Sequence, residues 1–251
     1  MSQLATFFDD VAAGYDRAFE DPGPEGHALR SRQEAVLGMA GKGGGEALDA
    51  GMGPGRVVAG LEARGWTASG IDLSPAMVDA ARRRVPAAAR RLGVGSIEVL
   101  PFEAASFDLV VATGVIEYVD AHRAVAELAR VLRPAGRLVV SIPNPRAPYG
   151  MWRRRVVYPA AAAVKGAIRR GPPPRPEHRD PVALGDFAGI LREAGLRVVA
   201  AQRVNAQALL TPLDELAPRA ATGLAMRLER SGGRVARALS TQVMLLAQRD
   251  G

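Results

Sequence analysis

Three glycines at alternate positions end an apolar run at Ala47-Leu48-Asp49-Ala50-Gly51-Met52-Gly53-Pro54-Gly55, and a second apolar run ends in an acid at Gly70-Ile71-Asp72. Without a Cβ, glycine lets the backbone turn sharply and lets a ligand lie against it. The turn feeds a helix whose first amides can hold a carboxylate or phosphate. An acid closing the next strand is placed to accept hydrogen bonds from a ribose diol, the logic of the doubly wound nucleotide-binding folds. The first half of the chain is therefore expected to bind a nucleoside-containing cofactor.

The spacing narrows the choice. A dinucleotide fingerprint G-x-G-x-x-G needs glycine at position 56, where the chain has Arg56. The pattern is G-x-G-x-G, with Asp49 two residues before the first glycine. It resembles motif I of the class I S-adenosylmethionine-dependent methyltransferases, and Asp72 resembles their ribose-binding acid. Leu100-Pro101-Phe102 with Ser106-Phe107-Asp108-Leu109-Val110-Val111 resembles that family's approach to its fourth strand. The run from Glu127 to Val140, with Arg133-Pro134-Ala135-Gly136 at its turn, resembles the following helix and fifth strand.

The resemblance implies an α/β fold: a doubly wound, Rossmann-like seven-stranded sheet holding S-adenosylmethionine. It implies that Gly51, Gly53 and Gly55 approach the methionine moiety while Asp49 shapes the loop. Asp72 is then expected to hold the ribose, and Leu73 and Met77 to flank the adenine. Ser96 and Ile97 are expected at the adenine edge, and Thr113 and Gly114 beside the methyl group. The chain departs from the family pattern at Gly95-Ser96-Ile97-Glu98. There Ser96 stands where an acid commonly receives the adenine amine, and a hydroxyl accepts that bond more weakly than a charged oxygen.

With no cysteine, the chain has neither a disulfide framework nor a thiolate metal site, and no metal is expected. The same absence rules out the covalent cysteine route to pyrimidine C5 methylation. No apolar run approaches the roughly 20 residues that span a bilayer, and Phe7-Phe8-Asp9-Asp10 puts acids where a secretory leader would be basic. A cytoplasmic location is expected.

The net charge of +7 is concentrated. Between Arg146 and Asp180 stand nine basic and two acidic residues, while the rest of the chain carries 24 of each. This segment also holds Met151, Trp152, Val156, Val157 and Tyr158 among its arginines. Three readings stand for it: a solvated surface, a site for an anionic acceptor, or an interfacial helix in peripheral contact with a membrane. An acceptor that is hydrophobic or anionic follows from the last two.

One domain of residues 1–251 is expected, with four parts. Residues 1–44 form N-terminal helices, in which Phe8-Asp9-x-x-Ala12-x-x-Tyr15-Asp16 resembles the closing segment of ubiquinone and menaquinone methyltransferases. Residues 45–145 form the cofactor-binding core, 146–182 a basic helical insertion after strand five, and 183–251 complete the sheet. Strands are expected near 46–50, 68–72, 90–94, 107–112, 137–142, 196–201 and 240–248. Helices are expected near 27–40, 55–64, 75–84, 121–132, 160–170, 184–194 and 213–236, with an extended Gly171-Pro172-Pro173-Pro174-Arg175-Pro176.

Methyl transfer from a sulfonium is an in-line displacement that needs alignment more than covalent help, so no catalytic residue is legible. If a base is needed, Tyr15, His27, Tyr149 and His178 are the candidates, with His122 on an exposed helix start. The leading functional reading is O-, N- or C-methylation of a small, hydrophobic or lipid-like acceptor. The alternatives are an RNA or DNA methyltransferase, carried by charge alone, and a protein that binds the cofactor without turnover. Asn144-Pro145-Arg146-Ala147-Pro148-Tyr149 follows strand five instead of strand four, so its likeness to the Asn-Pro-Pro-Tyr signature of nucleic-acid amino-methyltransferases is coincidental.

Overall fold

The computed structural model describes residues 3–159 and 182–251. The expected helix at 160–170, the extended stretch 171–176 and His178 lie outside them. Seven strands form one sheet: β1 Glu46–Ala50, β2 Thr67–Asp72, β3 Leu92–Val94, β4 Phe107–Ala112, β5 Leu132–Pro143, β6 Leu196–Ala206 and β7 Ser240–Arg249. Their spatial order is β3-β2-β1-β4-β5-β7-β6. β7 runs antiparallel to both β5 and β6, and the other pairs are parallel. The order reverses between β1 and β4, the crevice where ligands of open α/β sheets bind.

The helices among the described residues are α1 Gln3–Glu20, α2 Pro24–Ala40, α3 Arg56–Glu62, α4 Pro75–Arg84, α5 Ala121–Val131, α6 Pro148–Trp152, α7 Leu184–Glu193, α8 Leu213–Leu216, α9 Pro218–Ser231 and α10 Arg234–Leu239. Alternate residues along each strand feed two cores. Leu48, Val110, Leu138, Val140 and Leu245 pack toward α5 and α7. Ala47, Leu109, Val111, Val139 and Met244 pack toward α2, α3 and α4. The central strands are apolar on both faces because helices cover both faces. Each fully buried leucine is worth about 1.5–3 kcal/mol over an exposed one.

Several expected boundaries move. β3 shrinks to three residues because Pro86–Arg91 winds into a 3-10 helix that Arg91 ties to Glu62 at 2.7 Å. β5 starts at Leu132, pairs it with Phe107, then bulges through Ala135 at φ 61° before resuming at Arg137. The helical stretch 213–236 is broken into α8, α9 and α10, the last break at the left-handed Gly232. As expected, Ser74 caps α4, its hydroxyl accepting the Met77 amide at 3.1 Å, and Pro75 follows it.

Candidate functional site

The glycine bend hangs between the ends of β1 and β2. The amides of Gly51 and Met52 both donate to the Ile71 carbonyl at 2.9 Å. The Gly53 amide donates to Asp72 Oδ2 at 2.8 Å, and the Ser74 amide donates to Asp72 Oδ1 at 2.9 Å. All three glycines sit at positive φ, from 51° to 84°, where a side chain is strained. Their open faces differ. A Cβ on Gly51 would lie 2.2 Å from Val115, and one on Gly55 2.8 Å from Ala81 of α4; one on Gly53 would meet nothing within 4 Å. Gly51 and Gly55 therefore let elements pack, and Gly53 turns a bare backbone outward.

Two acids lie beneath this bend, and a third stands in the turn after β4. Asp49, 1% exposed, has its pKa pushed up to about 8 by burial and then by Asp72. Burial also raises Asp72, against the opposing amides of Ser74 and Gly53. Glu117, in the turn after β4, is raised by burial, with Arg32 acting the other way. Asp49 Oδ2 and Glu117 Oε2 are buried with no hydrogen-bond partner among the described residues.

Arg32 of α2 enters the same space, its Nη1 2.2 Å from where a Gly114 Cβ would stand. It makes no ion pair with a described residue. The Gly114 amide donates to Ser141 Oγ at 2.8 Å, which fixes the chain after β4. Sequence reasoning missed Arg32 and Glu117. Arg32 carried a signal, because it falls on the same helical stripe as buried Ala35, Val36 and Ala40. Nothing local marked Glu117.

Helix α1 lies across the opening. Asp9 accepts from Ser74 Oγ at 2.5 Å and from the Ala76 amide at 3.1 Å. Asp16 accepts from Arg56 Nε at 3.0 Å and from Arg84 Nη2 at 2.5 and 2.6 Å. Phe8 packs edge-on against Tyr118, ring centres 5.4 Å apart. Tyr15 faces inward: burial raises its pKa above the ordinary 10, and the nearby charges are Arg32, Asp72, Asp49 and Arg56.

The remaining expected residues divide. Leu73 and Thr113 are half-buried at the strand ends. Met77 and Ile97 are core side chains, 1% and 5% exposed. Ser96 Oγ accepts the Glu98 amide at 3.2 Å. Glu98 in turn accepts the Asp120 amide at 2.9 Å. His27 is turned away from the cleft because α2 packs on β6 and α9, where its Nε2 lies 3.2 Å from Glu229 Oε2. Tyr149 is spent on an internal bond, its hydroxyl donating to Asp214 Oδ2 at 2.6 Å; burial and that bond raise its pKa. His122 is exposed, 3.8 Å from Glu193.

The described part of the basic insertion is anchored as well as exposed. Trp152 Nε1 donates to the Thr211 carbonyl at 2.8 Å, and the Arg153 guanidinium stacks over Tyr149 and Tyr158 at 5.6 and 5.2 Å. Trp152 and Arg153 thus hold the segment to the body, whereas Arg154, Arg155, Val156 and Tyr158 face outward. No helix of the described residues is long and apolar enough to cross a membrane, and no described group of three or more histidines and acids is arranged to hold a metal ion.

A buried Asp49 oxygen without a donor, an Arg32 guanidinium in no ion pair among the described residues and an outward-facing backbone bend together suit a zwitterionic amino-acid group. The two amides on Asp72 leave lone pairs on a carboxylate that has about four acceptor sites, enough for a diol.

A family described as "Methyltransferase domain" matches residues 48–140. A demethylmenaquinone methyltransferase of Beutenbergia cavernae is 34% identical over 205 residues, 78% of this chain and 83% of that protein. A malonyl-[acyl-carrier protein] O-methyltransferase of Serratia marcescens is 35% identical over 140 residues, 55% of this chain; the chain spans about half (51%) of that relative's length. A crystal structure of an S-adenosylmethionine-dependent methyltransferase from Thermotoga maritima superposes with a TM-score of 0.64 at 18% identity, covering 97% and 98% of the two chains, and so shares the fold. The chain belongs to the class I methyltransferases, enzymes whose cofactor is S-adenosylmethionine.

Proposed function

We propose that this protein methylates a small hydrophobic or lipid-like acceptor by in-line transfer. One observation carries the reading: the β2 acid Asp72 is drawn under the bare Gly53 bend inside a cleft that α1 covers. Asp72 would hold the ribose hydroxyls, with Leu73 beside the base and Ser96 and Ile97 near its edge. Asp49 would face the ammonium of the methionine moiety and Arg32 its carboxylate, each supplying the partner it lacks in the protein. The bound sulfonium supplies an electrophilic methyl group. This chain's own part is to bind and orient, and to keep water out by laying α1 over the cleft, so that displacement proceeds without covalent participation.

The relatives' names support the acceptor class, since demethylmenaquinone is an apolar quinone. The outward Arg154, Arg155, Val156 and Tyr158 support peripheral contact with an anionic membrane surface through the insertion. Calorimetric titration with S-adenosylhomocysteine tests the cofactor assignment. Asp72→Ala is expected to weaken binding tenfold or more, because the diol loses charge-assisted partners; unchanged affinity would overturn it.

A further inference from the structure

We propose, building on the methyltransferase reading, that Glu117 is the residue that receives the acceptor's nucleophilic O–H or N–H, and hence that the acceptor is a hydroxyl or amine on an apolar body. Glu117 belongs to two places at once. Its carboxyl lies within electrostatic reach of Arg32 on α2, and the residue also lines a cavity of about 650 Å³ with Ile116, Val119, Ile142, Pro143 and Val182. That cavity opens at the C-terminal ends of β4 and β5, where Asp120, Asp186 and Glu193 form its polar rim.

Glu117 Oε2 is buried without a donor among the described residues. An unsatisfied buried carboxylate oxygen costs folding free energy, so such a group in a cleft marks a place where a ligand completes the bonding. The surroundings define that ligand. The aliphatic part of the wall favours an aromatic or alkyl body, and the Glu117 oxygen that lacks a donor calls for an O–H or N–H. A carbon nucleophile without O–H or N–H would leave the oxygen unpaired. Tyr118, the next residue, is clasped by Phe8 of α1, so closing α1 also fixes this turn.

The proton balance is simple. As the acceptor atom bonds to the methyl carbon, the sulfonium sulfur keeps the C–S electron pair. The acceptor's proton passes to Glu117, and a sulfonium and a carboxylate become a thioether and a carboxylic acid. Burial, which favours the protonated carboxyl, suits the group to take up that proton.

The test uses two ligands that differ by one hydrogen-bond donor, 2-naphthol and 2-methoxynaphthalene, titrated into the full chain with saturating S-adenosylhomocysteine. The wild type is expected to bind 2-naphthol at least tenfold more tightly than its methyl ether. Glu117→Leu should erase that preference while still binding the ether and S-adenosylhomocysteine, which shows that the variant is folded. Bound 2-naphthol should emit as naphtholate in the wild type and as the neutral naphthol in Glu117→Leu. A preference that survives Glu117→Leu, or failure of both naphthalenes to bind the wild type, overturns the assignment of Glu117. If S-adenosylhomocysteine itself does not bind the wild type, the methyltransferase reading fails with it.

Discussion

Asp9 on α1 accepts the Ser74 hydroxyl at 2.5 Å, while that hydroxyl accepts the Met77 amide at the start of α4. One serine therefore caps a core helix and fastens the covering helix to it. With Asp16 bridging Arg56 and Arg84 about two turns further on, α1 is tied to α3 and α4 at two points, both beside the glycine bend.

Removing the first tie should loosen α1 without unfolding the sheet. Asp9→Ala leaves the Ser74 cap intact and is expected to cost about 1–2 kcal/mol. Hydrogen exchange followed by mass spectrometry should show faster exchange across residues 3–20 and unchanged protection in β1 and β4. Equal protection of α1 in both proteins would show that the latch does not hold the helix.

Asp49 should make stability fall with rising pH. Its pKa is about 8 in the folded chain against an ordinary 3.8, so between those values folding takes up a proton. Its contribution is complete below about pH 4 and is lost as pH rises through 8, with a limiting slope on the order of 1 kcal/mol per pH unit. Asp49→Asn is expected to gain on the wild type as pH goes from 5 to 8. Thermal melts across that range decide it, and parallel curves for the two proteins would contradict the shift.

The His27–Glu229 pair is a clamp between α2 and α9. Glu229 also accepts the Ala206 amide at 2.9 Å, and burial opposed by the His27 bond leaves its pKa below the ordinary 4.5. Its stabilisation is present above pH 4.5 and lost as pH falls through its lowered value. His27→Ala should destabilise by about 1–3 kcal/mol in urea titrations at pH 7, with S-adenosylhomocysteine affinity unchanged. A large loss of affinity would return His27 to the site.

Gly55→Ala separates packing from ligand contact. The substitution meets φ 77° and an Ala81 Cβ 2.8 Å away; the left-handed conformation alone costs roughly 1–2 kcal/mol. The denaturation midpoint is expected to drop with little change in the slope. A neutral result would mean that α3 and α4 shift apart freely.

Much of the fold was legible because its signals are local. The apolar runs 47–50, 68–71 and 107–112 read as covered strands. The pairs Ser74-Pro75 and Gly195 with its φ of 74° mark helix ends through chemistry within one turn. Boundaries failed where distant contacts intervene. Arg91 reaches Glu62 and shortens β3, and β6 runs on to Ala206 because β7 offers partners as far as Ser240.

Local patterning along the chain was enough to specify the sheet, the glycine bend and the acid opposite it, since periodicity, turn chemistry and motif spacing are properties of neighbouring residues. Which charges share the cleft was set by packing in three dimensions. That packing brought Tyr15, Arg32, Asp49 and Glu117 together and took His27 and Tyr149 to Glu229 and Asp214. Burial and electric fields depend on distance through space, and spacing along the chain carries no record of that distance.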